Sequence, residues 1–222
     1  MWRALFLFLC SLPCFATSIT LTFDAGDPIG GLSVGDILSN QYAALTGATF
    51  SANAFTGGGG PNGNWATNTD MTIVSSTGAD VGALGAGPVS GNILRSLAGW
   101  VNENGDASFG ISFATGITSF SADFAGIAIP SSVRVFAYNG ASLLGTVTAA
   151  GVGQQNLSLS GLGTITSVIV TPGEFNDWVG VDNITFDTLT SPVPEPSTFL
   201  LSGLGIAALT YAKRRVSNRP RL

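Results

Sequence analysis

The sequence predicts an all-β fold, an antiparallel β-sandwich of jelly-roll kind, on three observations. Apolar residues recur with period two in short runs. Clusters of Gly, Asn, Asp and Ser separate those runs and supply turns. Glycine makes up 30 of 222 residues while only 9% are charged, about twice the ordinary glycine usage and too few charged helix formers for a bundle.

The strands follow in order. Ile19, Leu21 and Phe23 alternate with Thr20 and Thr22 in the first. Phe109, Ile111 and Phe113 alternate with small residues, and Val133, Val135 and Ala137 alternate with Arg134, Phe136 and Tyr138. Further runs lie at 71–75, 92–96, 117–124, 142–148, 155–159, 165–171 and 178–186. About ten strands over roughly 170 residues suit two packed sheets. Residues 56–64, with four consecutive glycines before Pro61, and the Gly/Ala-rich 78–90 read as loops.

Charge is distributed unevenly. Six of the eight basic residues lie in the first three or last ten positions, so residues 17–192 hold twelve acidic against two basic side chains, a net of −10. Such a surface repels phosphate backbones, and no nucleic acid partner is expected. The chain has no His. That removes the commonest general base and metal ligand, and the expectation is that the protein is not an enzyme. The acidic pairs Glu103/Asp106 and Glu174/Asp177 read as solvated turn residues.

The two ends carry targeting information. Arg3, a mostly apolar run over 4–15 and small residues at 16–18 form a secretory signal peptide, read as residues 1–18, with signal peptidase cleaving after Ala16 or Ser18. Its removal by the secretion machinery takes Cys10 and Cys14 with it and leaves no thiol for a bridge, a zinc site or a nucleophile. At the other end, Pro194, Glu195 and Pro196 precede an apolar run over 199–212, then Lys213, Arg214 and Arg215. A helix over that run spans roughly 21 Å against a hydrocarbon core of about 30 Å, a marginal span that snorkelling Lys213 and Arg214 would extend. The basic cluster places the tail in the cytoplasm by the positive-inside rule.

This three-part end resembles the PEP-CTERM sorting signal of Gram-negative bacteria. The likeness covers about the last 30 residues and is carried by Pro194-Glu195-Pro196, the apolar run with Gly203-Leu204-Gly205, and the basic stop Lys213-Arg214-Arg215. It implies an exosortase as partner, with the chain as substrate: export, transient anchoring in the inner membrane by a single spanning helix, cleavage near the motif, then transfer to the cell surface or extracellular matrix. The expected organisation is a signal peptide over 1–18, an exported β-sandwich over 19–190 and a sorting signal over 191–222. Gly203-Leu204-Gly205-Ile206-Ala207-Ala208 also matches a dinucleotide-binding pattern, but no strand precedes it and no acidic residue follows at the needed spacing.

Two sets of side chains stand out in the domain. Asp24 ends the first strand and Asp182 lies in the last, and the layout loosely resembles jelly-roll carbohydrate-binding modules, whose first and last strands lie close together. That resemblance implies a structural Ca²⁺ held by Asp24, Asp182 and Asp27 together with backbone carbonyls, the oxygen-rich set calcium takes. The competing reading has Asp24 and Asp182 bonding backbone N–H groups in turns. Trp65, beside the Gly-rich loop with Asn62, Asn64 and Asn68, is the candidate stacking platform for a sugar, while Trp100 and Trp178 read as core. The function expected is a structural or adhesive component of the envelope or biofilm matrix. The alternative is a carbohydrate-binding module that docks on extracellular polysaccharide.

Overall fold

Nine strands and one helical turn make up the computed structural model over the residues it describes, which are 17–52, 71–77, 87–95, 108–131, 133–172 and 179–189. In order these are β1 (Thr17–Leu21), α1 (Ala43–Thr46), β2 (Ala48–Ala52), β3 (Thr72–Ser75), β4 (Asn92–Arg95), β5 (Phe109–Ile127), β6 (Val133–Asn139), β7 (Ser142–Thr148), β8 (Gly153–Pro172) and β9 (Gly180–Thr188). All pairings are antiparallel, as short turn-linked runs require.

Two strands are much longer than the sequence runs that predicted them. Runs 109–113 and 117–124 are one strand, β5, and runs 155–159 and 165–171 are one strand, β8. Each turns a corner in the middle. The β5/β8 register breaks on β5 between Ser112 and Ile117 and on β8 between Ile165 and Ser160, so extra residues on one strand are offset by extra residues on the other. Gly116 lies in the first break, and Gly161 and Gly163, both with positive φ, in the second. These bulges carry both strands from one layer into the other, the device by which sandwich corners are made.

One layer runs β2, the first half of β5, the second half of β8, β6 and β7. The other holds the first half of β8, the second half of β5, β9, and then β1 and β4 side by side on β9, with β3 outside β4. Alternate residues point inward from both. Val133, Val135 and Ala137 of β6 and Ile184 and Phe186 of β9 are buried in one core cluster. Phe113 of one layer meets Phe186 of the other with ring centroids 5.0 Å apart, a tilted aromatic contact across the core. The core lies within one compact unit, Ala16–Leu189.

Three features differ from the sequence reading. β2 and α1 fall in a stretch with no clean alternation, and β2 forms because Phe50 and Ala48 are drawn into the core beside β5. β1 begins at Thr17, two residues before the expected domain start at 19, where Thr17 and Ser18 pair with Thr188 and Asp187. Thr188 donates its hydroxyl to the Thr17 carbonyl at 3.2 Å, which extends the ladder to that residue. Residues 1–16 of the signal segment, Trp65, Trp100, Trp178, Glu103, Asp106, Glu174, Asp177 and the sorting end over 191–222 lie outside the described residues.

Candidate functional site

The first and last strands pair along their full overlap, from Thr17 opposite Thr188 to Leu21 opposite Ile184. Beyond Leu21 the chain leaves β1 through Phe23, which is buried yet held at φ 61°, and turns at Asp24. Beyond Ile184, on the partner strand, Asn183 has φ 49° and Asp182 follows. Left-handed backbone at a buried Phe and a strand Asn costs on the order of 1–3 kcal/mol each, and such strain collects at functional positions. Here it brackets the two acids that the sequence singled out.

Three carboxylates share this end of the sandwich. Asp182 lies opposite Asp123 in the β5/β9 register, and both are nearly inaccessible to solvent. Asp182 Oδ1 accepts the Asn183 N–H at 2.7 Å and Oδ2 accepts the Ser90 N–H at 3.2 Å. Asp123 Oδ1 accepts the Asn156 amide at 2.7 Å and Oδ2 the Asn183 amide at 3.0 Å. Asp24 Oδ1 accepts the Asn92 N–H at 2.9 Å. Gly91, at φ +68°, passes so close to Asp24 that a Cβ there would overlap its carboxylate.

Burial pushes Asp182 up to about 6, the Ser90 and Asn183 N–H groups pull it down, and the charges of Asp24 and Asp123 add to the rise. The result is an anionic end that holds a proton near pH 6 and attracts cations. The donors are all oxygens, the chemistry calcium prefers. The geometry stops short of a coordination sphere: among the described residues no three acidic side chains are grouped closely enough to hold a metal.

Asp27 does not join them. Its Oδ2 accepts the N–H groups of Thr22 at 2.8 Å and Phe23 at 3.0 Å and the Tyr42 hydroxyl at 3.0 Å, while Oδ1 accepts the Ile29 N–H at 3.2 Å. That carboxylate is a buried clamp on the turn after β1, with its two oxygens shared among four donors. Burial first, and then the Asp27 charge, push the Tyr42 hydroxyl well above its usual range, so it stays protonated and donates. Sequence reasoning missed Asp123 and Asn183. The signal for Asp123 was present: an acid between Ala122 and Phe124 in an otherwise apolar run. Asn183 reads as an ordinary strand polar residue until its backbone angle is known.

An antiparallel β-sandwich with strained acidic turns where its terminal strands meet is therefore the class of protein at hand. Residues 192–215 match the model of the PEP-CTERM protein-sorting motif, so this sandwich belongs to an exported chain that an exosortase sorts and that is anchored in the membrane for a time. The sorting residues Pro194, Glu195, Pro196, Lys213, Arg214 and Arg215 all lie inside the matched segment. Among solved structures, a cleaved adhesin domain of Lys-gingipain is similar at 13% identity, with 77% of this chain and 99% of that one covered and a TM-score of 0.44. A carbohydrate binding module of family 29 is similar at 15% identity over 64% and 92% of the two chains, with a TM-score of 0.31. Discoidin II of Dictyostelium discoideum is similar at 11% identity over 70% and 60%, with a TM-score of 0.34. No curated protein matches the sequence.

Proposed function

We propose that this chain is a structural or adhesive protein of a Gram-negative cell envelope or biofilm matrix, delivered there by its sorting end. The observation that carries this reading is the order of parts: a sandwich whose core lies within Ala16–Leu189, followed directly by the sorting motif at 192–215. The flanking segments join the domain at Thr17 and Leu189, at the same end of the β1/β9 pair, because Thr17 lies opposite Thr188. Asp24 and Asp182 sit beyond the other end of that pair. The exosortase acts on the chain, and the chain itself catalyses no reaction.

The test is fractionation of cells that produce the full chain. Glu195→Ala should keep the protein in the membrane fraction, whereas the unaltered chain moves to the surface or medium. A deletion strain complemented with Glu195→Ala should then stay as poor in matrix cohesion as the uncomplemented strain. Normal release of Glu195→Ala would remove the sorting step from the account.

A second reading, binding of extracellular polysaccharide, has one structural feature in its favour. Phe136 and Tyr138 stand two apart on the outward face of β6, both half-buried, with Ile169 and Ser167 opposite them on β8. Flat rings beside hydroxyls suit stacking on a sugar. Binding to isolated matrix polysaccharide that is lost in Tyr138→Ala or Trp65→Ala would favour this reading over a purely structural one.

A further inference from the structure

The start of the chain offers a signal peptidase two bonds with the same local chemistry. The enzyme takes small side chains at the first and third positions before the bond it cuts. Ala16 and Cys14 fill those positions before the Ala16–Thr17 bond, and Ser18 and Ala16 fill them before the Ser18–Ile19 bond. Side-chain size does not separate the two bonds, but the pairing of β1 does.

β1 lies along β9 in an unbroken run of pairs: Thr17 with Thr188, Ser18 with Asp187, Ile19 with Phe186, Thr20 with Thr185 and Leu21 with Ile184. β4 meets β9 only at Gly180 and Val181, so β1 is what covers the rest of that edge. The ladder begins at Thr17, whose carbonyl accepts the Thr188 hydroxyl at 3.2 Å. The Ala16–Thr17 bond therefore precedes the first pair. The Ser18–Ile19 bond lies inside the ladder, with Asp187 and Phe186 opposite its two residues.

The two cuts leave different domains. A cut after Ala16 keeps every β1/β9 pair. A cut after Ser18 removes the first two, uncovers the backbone of Asp187 and Thr188 on that side, and makes Ile19 the chain terminus. Ile19 packs against the core opposite Phe186, which is fully buried and meets Phe113 of the other layer. Terminal residues fray unless pairing ties them down, and an α-ammonium on Ile19 would draw that apolar position toward water. Thr17 and Ser18 are both exposed, so a new ammonium on Thr17 stays solvated while Ile19 is held from both sides.

Access favours the same bond. Once β1 has paired, the Ser18–Ile19 bond is reached only by opening the ladder, whereas the Ala16–Thr17 bond stays at its rim. Before β9 has crossed the membrane both bonds are open, and the difference then lies in the fold that each product can form.

We propose that signal peptidase cuts the Ala16–Thr17 bond, so that the mature chain begins at Thr17 with β1 complete. The proposal rests on the reading of the first residues as an export signal. The step is a hydrolysis: water adds across the amide, Ala16 leaves with the new carboxylate, and Thr17 keeps the nitrogen as an α-ammonium. The mature N-terminus then lies beside Thr188, next to the point where the chain leaves β9 for the sorting end.

N-terminal sequencing of the full chain recovered from exporting cells tests this, and the sequence expected is Thr-Ser-Ile. Cys14→Leu puts a bulky side chain at the third position before the proposed bond and should lower the processed fraction roughly tenfold. Ser18→Leu blocks only the other bond and should leave cleavage before Thr17 unchanged. A mature chain that begins at Ile19, or loss of processing in Ser18→Leu, would overturn the proposal. A chain that keeps residues 1–16 would overturn it together with the export-signal reading, which tells the two failures apart.

Discussion

Asp123 and Asp182 face each other across the β5/β9 ladder, two carboxylates in register on neighbouring strands at the end of the sandwich that also holds Asp24. Like charges placed opposite each other in a ladder oppose pairing. The fold tolerates them because each oxygen of the pair accepts an N–H donor, from Ser90, Asn156 or Asn183.

This arrangement makes stability depend on pH in a defined direction. Asp182 titrates at about 6 in the folded protein against an ordinary 3.8. Below 3.8 both states are protonated and the contribution is fully present; it is lost as pH rises through about 6, where the folded state must give up a proton it holds tightly. On the order of 1–2 kcal/mol should be gained between about pH 7 and about pH 5, allowing for solvent near the rim. Urea unfolding of the unaltered domain and of Asp182→Asn checks this, with the slope expected to flatten in the variant. Equal slopes in the two proteins would remove Asp182 as the source.

Asp27 holds its turn as an acceptor for four donors. Asp27→Ala strands the N–H groups of Thr22, Phe23 and Ile29 and the Tyr42 hydroxyl. Leaving such buried donors unpaired costs about 1–3 kcal/mol each, and a total loss of about 3–5 kcal/mol is expected because the turn relaxes in part. Tyr42→Phe keeps the three N–H partners and should lose only about 1–2 kcal/mol. A smaller loss for Asp27→Ala than for Tyr42→Phe in urea midpoints would contradict the clamp.

Gly91 is fixed by the acid that it touches. Its φ of +68° is unfavourable for any other residue, and a Cβ there overlaps the Asp24 carboxylate. Gly91→Ala should lower stability by about 2–4 kcal/mol, and Asp24→Ala on the same background should recover part of that by making room. Strictly additive losses in the double variant would show that the two do not meet.

Calcium tests the same carboxylates. Among the described residues no three acidic side chains lie closely enough to hold an ion, and both oxygens of Asp182 and of Asp123 already accept N–H donors. The expected outcome is the same melting temperature in millimolar Ca²⁺ and in EDTA at about pH 7. A rise of several degrees in Ca²⁺ that Asp182→Ala removes would show that an ion displaces those donors.

Much of the β pattern was legible because alternation is a local property. The runs that became β1, β3, β4, β6, β7 and β9 show it within five to nine residues. β2 was not legible, since its place is set by contact with β5 and not by its own periodicity. The joining of runs into β5 and β8 was hidden for a related reason. Gly116, Gly161 and Gly163 read as turns in a sequence, and only a partner strand with a matching bulge converts a turn into a bend that keeps the ladder. The candidate site divides in the same way. Asp24 and Asp182 were visible as acids on terminal strands, whereas Asp123 entered through the β5/β9 register and Asp27 left through hydrogen bonds to its own turn.

By itself the sequence determined that this protein is exported and sorted, and of what fold class it is. The sorting motif is a linear signal, read as residue types in order, and strand patterning needs only neighbours. The tertiary structure decided which acids share an end and which carboxylate is taken up by its own turn. Those depend on contacts between residues far apart in the chain, such as Thr17 with Thr188 and Asp123 with Asp182, which form only when the two layers close on their common core.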